Sequence, residues 1–278
     1  MTPFTRFIRP YRLRLRDSVW RATVGRRDPA AYDFYVRMTA AGVDPSATID
    51  VVPELRIIYV CVPKSASSRV KLSLSGFLGR NLSGEEAIHN RQTSGLKAPH
   101  HVGLSKFYRA AMSPDTLRFS FVRNYARLVS CWTDKFLDRP LVPGDSFIDK
   151  FLARYREVDP KIAVGPAHTL SFADFARFAV ATLPERIDTH WQSQQELVDG
   201  PGLALDFVGR TENFDRDFRP VYAHVGAEEN LRATPLAPIR TRSHPPWPDY
   251  YTPELAAAIY RGYERDFDRF AYPRALPG

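Results

Sequence analysis

The chain has 278 residues, 44% of them hydrophobic, which is ample for one buried core, as a single large domain or a domain with an arm. A formal net charge of +8 points to anionic ligands, such as a nucleotide, an acidic acceptor, a nucleic acid or a membrane face. Two cysteines exclude a disulfide framework, and the lack of an 18-residue apolar run excludes a membrane-spanning helix.

In chain order, residues 1–44 come first as an Arg-rich arm (Arg6, Arg9, Arg12, Arg14, Arg16, Arg21, Arg26 and Arg27) interleaved with Phe4, Phe7, Tyr11 and Trp20. Such an arm either packs on the domain as a solvated helix or touches a membrane surface or anionic polymer, where basic charge and aromatic tips both serve. Residues 45–278 then form one domain. The pattern predicts strand 55–62, helix 68–79, strand 117–122, helix 125–138, helix 172–182, strand 203–208, helix 213–225 and helix 253–269. This alternation reads as α/β, a three-layer, mainly parallel sheet flanked by helices. Residues 80–100 and 233–248 read as surface loops. The N-terminus lacks a signal-peptide core, so a cytoplasmic location is expected, peripheral to the membrane if the arm binds there.

The segment 59–71 carries the strongest chemistry. The apolar run ending at Val62 is followed by Pro63, Lys64, Ser65, Ala66, Ser67, Ser68 and Arg69, then Val70 and Lys71. A strand, a tight loop of small residues and a helix start direct loop amides and the helix dipole at one anion, and Lys64 and Lys71 add full charges. The loop is thus P-loop-like in placement. It lacks the Gly-x4-Gly-Lys-Ser/Thr pattern, which argues against an ATP or GTP site.

A second segment runs Phe119-Ser-Phe-Val-Arg-Asn-Tyr-Ala-Arg-Leu-Val-Ser130. Arg123 at a strand end and Ser130 on the following helix suit a second phosphate, since a guanidinium donates two parallel hydrogen bonds. Further on stand Asp188-Thr-His190-Trp191-Gln-Ser-Gln194, then Val208-Gly-Arg210-Thr-Glu212 with Asp217-Phe218, and a last helix starting near Thr252-Pro253.

These segments, spread over roughly residues 55–272, together resemble the carbohydrate O-sulfotransferases, which use 3′-phosphoadenosine 5′-phosphosulfate (PAPS) as donor. The resemblance implies a 5′-phosphosulfate loop made of Pro63, Lys64, Ser65, Ala66, Ser67, Ser68, Arg69 and Lys71. It implies a 3′-phosphate pair, Arg123 and Ser130. There is one departure: the family has a proline after the residue matching Asn124, so Arg123 to Ser130 is one step short. A deletion inside a helix would turn Ser130 by about 100°, whereas a gap in the preceding turn would be absorbed, which is the expectation here.

Transfer of a sulfuryl group to a hydroxyl needs a cation on the leaving 5′-phosphate, a role for Lys64, and a base. His101-Val102 before a Leu-x-x-Phe run is similar to the His-Val pair that supplies the base in heparan-type 2-O-sulfotransferases, with His100 its neighbour. His190 is the rival, or a substrate-binding residue with Arg210. A glutamate base stays open, and Arg210 and Glu212 are expected to form a buried pair. The product would be adenosine 3′,5′-bisphosphate. No metal ligand spacing appears, so no metal is expected, nor a nucleic acid partner. The acceptor would be a saccharide or glycolipid, chosen by the loops at 80–100, 140–170 and 230–250. The lack of a membrane anchor suggests a bacterial member. Two other readings are a P-loop kinase-like nucleotide enzyme and a catalytically weak protein of the same fold that grips an anionic polymer.

Overall fold

The computed structural model describes residues 19–40, 44–137, 146–158, 170–227 and 245–276. The chain divides into two compact units, residues 1–122 with 196–242 and residues 123–195 with 243–278.

The first unit holds a four-stranded sheet in the order β1 (Ile49–Val52), β2 (Ile57–Val60), β3 (Leu117–Val122) and β4 (Phe207–Arg210). β2–β3 and β3–β4 pair in parallel, and β1 is an antiparallel edge. The mainly parallel α/β expectation is met. Every residue of β2 is buried, as expected of a strand covered on both faces. Ile57 and Tyr59 face Val70 and Leu74 of helix Ser67–Phe77 and Phe214 and Phe218, while Ile58 and Val60 face Phe34 and Met38 of helix Pro29–Ala40 and Phe107 of helix Leu104–Met112. Three layers follow from this alternation.

Several expectations need correction. The first strand begins at Ile57, because Pro53–Leu55 is a tight helical turn closed by Arg56 at φ 53°. That turn joins β2 to β1, a strand the hydrophobic pattern did not flag. Residues 80–100 are not simply a surface excursion: short helices Glu85–His89, Arg91–Ser94 and Pro99–Val102 lie there, and Ile88, Leu96 and Ala98 are buried. The strand expected at 203–208 lies at Phe207–Arg210, while Leu203 is core filling. Of the basic arm, Arg6 to Arg16 lie outside the described residues; residues 19–27 are helical, and helix Pro29–Ala40 buries Ala31, Phe34, Tyr35 and Met38.

Within its described residues the second unit is helical, around an aromatic cluster of Trp132, Phe136, Phe151, Phe172, Phe175, Phe178 and Trp191. The helix expected at 125–138 is Ala126–Trp132 followed by a wider π-helical turn, Thr133–Leu137. The last helix is broken into Pro253–Gly262 and Glu264–Arg269. Thr252 starts it as expected, its side chain capping Leu255 N–H. The acceptor loops within 138–145, 159–169 and 228–244 lie outside the described residues. Among the described residues no helix is long and apolar enough to cross a membrane.

Candidate active site

Lys64 (φ 65°) and Ala66 (φ 59°) both adopt left-handed backbone conformations, with the buried Ser65 between them. Neither is glycine, so each costs about 1–2 kcal/mol relative to an ordinary conformation. Ala66 is the N-cap of helix Ser67–Phe77, whose first N–H groups have no acceptor within their own helix. This is the arrangement an anion would need. Ser68 Oγ lies 2.9 Å from His89 Nε2. Arg69 pairs with Asp215 and stacks its guanidinium 4.1 Å from the Phe214 ring centroid.

Lys71 has a different partner from the phosphate expected of it. Its ammonium lies 3.0 Å from Asp50, a fully buried β1 carboxylate that also accepts from Arg91 at 2.9 Å. Burial works against the Lys71 charge, but the neighbouring Cys61 sulfur and Asp50 together outweigh it and hold the pKa above the ordinary lysine value. Arg91 also donates to the carbonyls of Ser46 and Ile49. The helix carrying the loop is thus bolted from beneath to the sheet edge. Burial pushes the neighbouring Cys61 thiol up, so it stays protonated and apolar in character.

The two residues expected at a 3′-phosphate come together despite the short spacing: Arg123 Nη1 donates to Ser130 Oγ at 2.8 Å. Asn124 Oδ1 accepts from Ala126 N–H at 3.0 Å, a side-chain turn at the start of the helix. Arg123 is gripped through its main chain by Gln194, whose Oε1 accepts from its N–H at 2.9 Å and whose Nε2 donates to its carbonyl at 2.8 Å. Asp266 fastens that glutamine by accepting from Gln194 N–H (2.8 Å), Gln195 N–H (2.9 Å) and Ser193 Oγ (2.6 Å). Burial raises the Asp266 pKa against those hydrogen bonds. Arg127 donates to the carbonyls of Gln192 (2.8 Å) and Thr189 (3.0 Å), so it is a strut between its helix and the loop at 188–194. Gln194 and Asp266 were missed as site-shaping residues, although both lie in stretches that carry the family resemblance.

The histidines fall in different settings. His101 Nδ1 accepts from Ala98 N–H at 3.4 Å, within a one-turn helix. His100 Nδ1 lies 3.1 Å from Ser46 Oγ, and the two rings are 4.1 Å apart. His101 also lines a cleft of about 550 Å³ with Arg80, Arg91, Lys97 and Glu54. His190 Nδ1 lies 2.6 Å from Asp188 Oδ1. Burial raises the Asp188 pKa, but the hydrogen bond and charge of His190 more than offset this and hold the carboxyl below its usual value. Arg210 N–H donates to Asp217 at 2.8 Å, and Glu212 is exposed on the turn Thr211–Asn213. The expected burial of an Arg210–Glu212 pair is not met, because that turn carries Glu212 out to solvent.

The sheet with its covering helices is an α/β frame of the kind expected, and comparison makes the family definite. Residues 47–273 match the sulfotransferase family, and the chain belongs to it. Among characterised proteins it is similar to carbohydrate sulfotransferase 14 of Danio rerio (27% identity over 188 residues, 64% of this chain and 48% of the relative). It is similar to carbohydrate sulfotransferase 14 of Homo sapiens as well (27% over 237 residues, 78% of this chain and 58% of the relative). The chain thus spans about half the length of these relatives. No solved structure matches it.

Proposed function

We propose that this protein moves the sulfuryl group of PAPS to a hydroxyl of a carbohydrate acceptor, by in-line transfer with a histidine base. The observation that carries the reading is the Arg123–Ser130 contact, since a pair set for a 3′-phosphate distinguishes PAPS from ATP. The relatives' names supply the carbohydrate acceptor. In this reading the loop from Pro63 to Ser68 takes the 5′-phosphosulfate. Lys64 neutralises the charge that develops on the leaving 5′-phosphate, and the first amides of helix Ser67–Phe77 assist. Arg123 and Ser130 turn from each other to the 3′-phosphate, while Gln194 keeps the Arg123 backbone in place. His190, oriented by Asp188, and Arg210 are assigned to the acceptor.

Calorimetric titration with adenosine 3′,5′-bisphosphate and with adenosine 5′-phosphate, on wild type and Arg123→Ala, tests this. Tighter binding of the bisphosphate, lost in the variant, is expected. Binding of ATP with Mg²⁺ in its place would move the assignment to a kinase-like enzyme, and binding of neither would leave a polymer-gripping protein.

A further inference from the structure

Five of the chain's histidines lie in the described residues, and their hydrogen bonds sort them by the chemistry each ring can do. A neutral imidazole has one N–H and one lone pair, so a bond made by one nitrogen decides what the other offers. His101 Nδ1 accepts a backbone N–H, which puts the ring proton on Nε2 and leaves Nε2 a donor. His224 Nε2 faces the carbonyls of Leu55 (3.0 Å) and Arg56 (3.2 Å) and must likewise be a donor. His100 is turned to Ser46. His190 is oriented by Asp188 in the second unit.

His89 differs, because its Nε2 touches the loop helix itself, 2.9 Å from Ser68 Oγ. Ser68 lies in the first turn of that helix, one residue past its start at Ser67. His89 is exposed, yet its place is fixed on both sides. Ile88 before it is 2% exposed, and Asn90 after it caps the next short helix by accepting from Gln92 N–H at 2.9 Å.

We propose that His89 is the general base of the sulfuryl transfer, an assignment that rests on the reading under Proposed function. The Ser68–His89 contact fits either ring tautomer; base chemistry takes the one with the proton on Nδ1, in which Ser68 donates its single hydroxyl proton to Nε2. When the 5′-phosphosulfate docks at the helix start, that proton goes to a phosphate oxygen, and the His89 Nε2 lone pair turns to the acceptor hydroxyl. The acceptor oxygen then forms its bond to sulfur as the bond from sulfur to the bridging oxygen breaks. The bonding pair leaves on the 5′-phosphate, where Lys64 meets it, and the acceptor proton ends on His89 Nε2 before passing to water. Donor binding thereby arms the base.

The test uses the full chain. Calorimetry with adenosine 3′,5′-bisphosphate reports the donor site, and conversion of PAPS to the bisphosphate, with desulfated chondroitin as acceptor probe, reports turnover to sugar or water. His89→Ala should lower turnover by about 10²-fold or more with bisphosphate affinity unchanged, and added imidazole should restore part of it. Wild-type turnover in His89→Ala, or imidazole rescue of His101→Ala in place of it, would overturn the assignment. A second arm needs no acceptor. The His89 imidazole resonance, identified by its loss in His89→Ala, should shift when the bisphosphate is added, and Ser68→Ala should displace it before any nucleotide is present. A resonance indifferent to the nucleotide overturns the proposal even if turnover falls. Wild type that binds no bisphosphate would instead remove the parent reading, a failure seen before any substitution is made.

Discussion

At residues 63–71 the chain holds its shape through backbone conformation and a buried ion pair, whereas at residues 123–130 side-chain amides and carboxylates grip main-chain atoms. In the first region Lys64 and Ala66 carry left-handed backbone angles, and Asp50 anchors the helix through Lys71 from below. In the second, Gln194 clasps the N–H and carbonyl of Arg123 and is itself clasped by Asp266. The difference matches the tasks. A loop that presents amide groups must fix its own backbone, while in the proposed function the guanidinium releases Ser130 for a phosphate and so needs a fixed root and a movable tip.

Substitutions can break this contrast at either side. The largest effect is expected from Lys64→Ala, which should reduce PAPS turnover about 10³-fold and weaken nucleotide binding; unchanged turnover would remove the loop assignment. Asp50→Ala leaves Lys71 and Arg91 without their shared carboxylate, and should cost about 3 kcal/mol in denaturant unfolding. If stability is unaffected, the loop does not depend on the pair. Gln194→Ala should cost about 2 kcal/mol, from two lost hydrogen bonds, and lower the preference for a 3′-phosphorylated nucleotide with Arg123 still present. A preference kept intact would show that Arg123 needs no clasp. The smallest effect concerns Asp188. Its carboxyl is held below the ordinary value in the fold, so its contribution is whole above about pH 4 and drains as pH falls through the lowered value. The stability difference between wild type and Asp188→Asn should accordingly shrink on acidification, as read from unfolding midpoints across that range.

The part of this architecture legible in the sequence is the part written in contiguous residues. β3 was bounded by its alternation, the loop and its helix by small residues after an apolar run, and the Arg123–Ser130 pairing was implied by the family resemblance against a spacing one residue short. What stayed hidden depends on distant partners. β1 carries Asp50 in its middle, and an acid inside an apolar strand blurs the pattern; only Lys71 and Arg91, far along the chain, make sense of it. Gln194 looked like one motif letter among several until its amide was seen on Arg123. The last helix is interrupted at Tyr263 (φ −109°, ψ 21°), and Gly262 before it packs so close to Val180 that a Cβ would come within 2.7 Å; no periodicity of the helix itself reports either.

Lys64 and Ala66 share the same unfavourable backbone region, but selection would treat them differently. Glycine at position 66 would relieve the strain and leave the loop amides where they are, so a search for heat-resistant variants should find it readily. Glycine at position 64 would relieve as much and delete the cation assigned to the leaving phosphate in the proposed function. One residue is therefore open to improvement and its near neighbour is closed to it, and laboratory evolution toward thermal tolerance should read out that distinction directly.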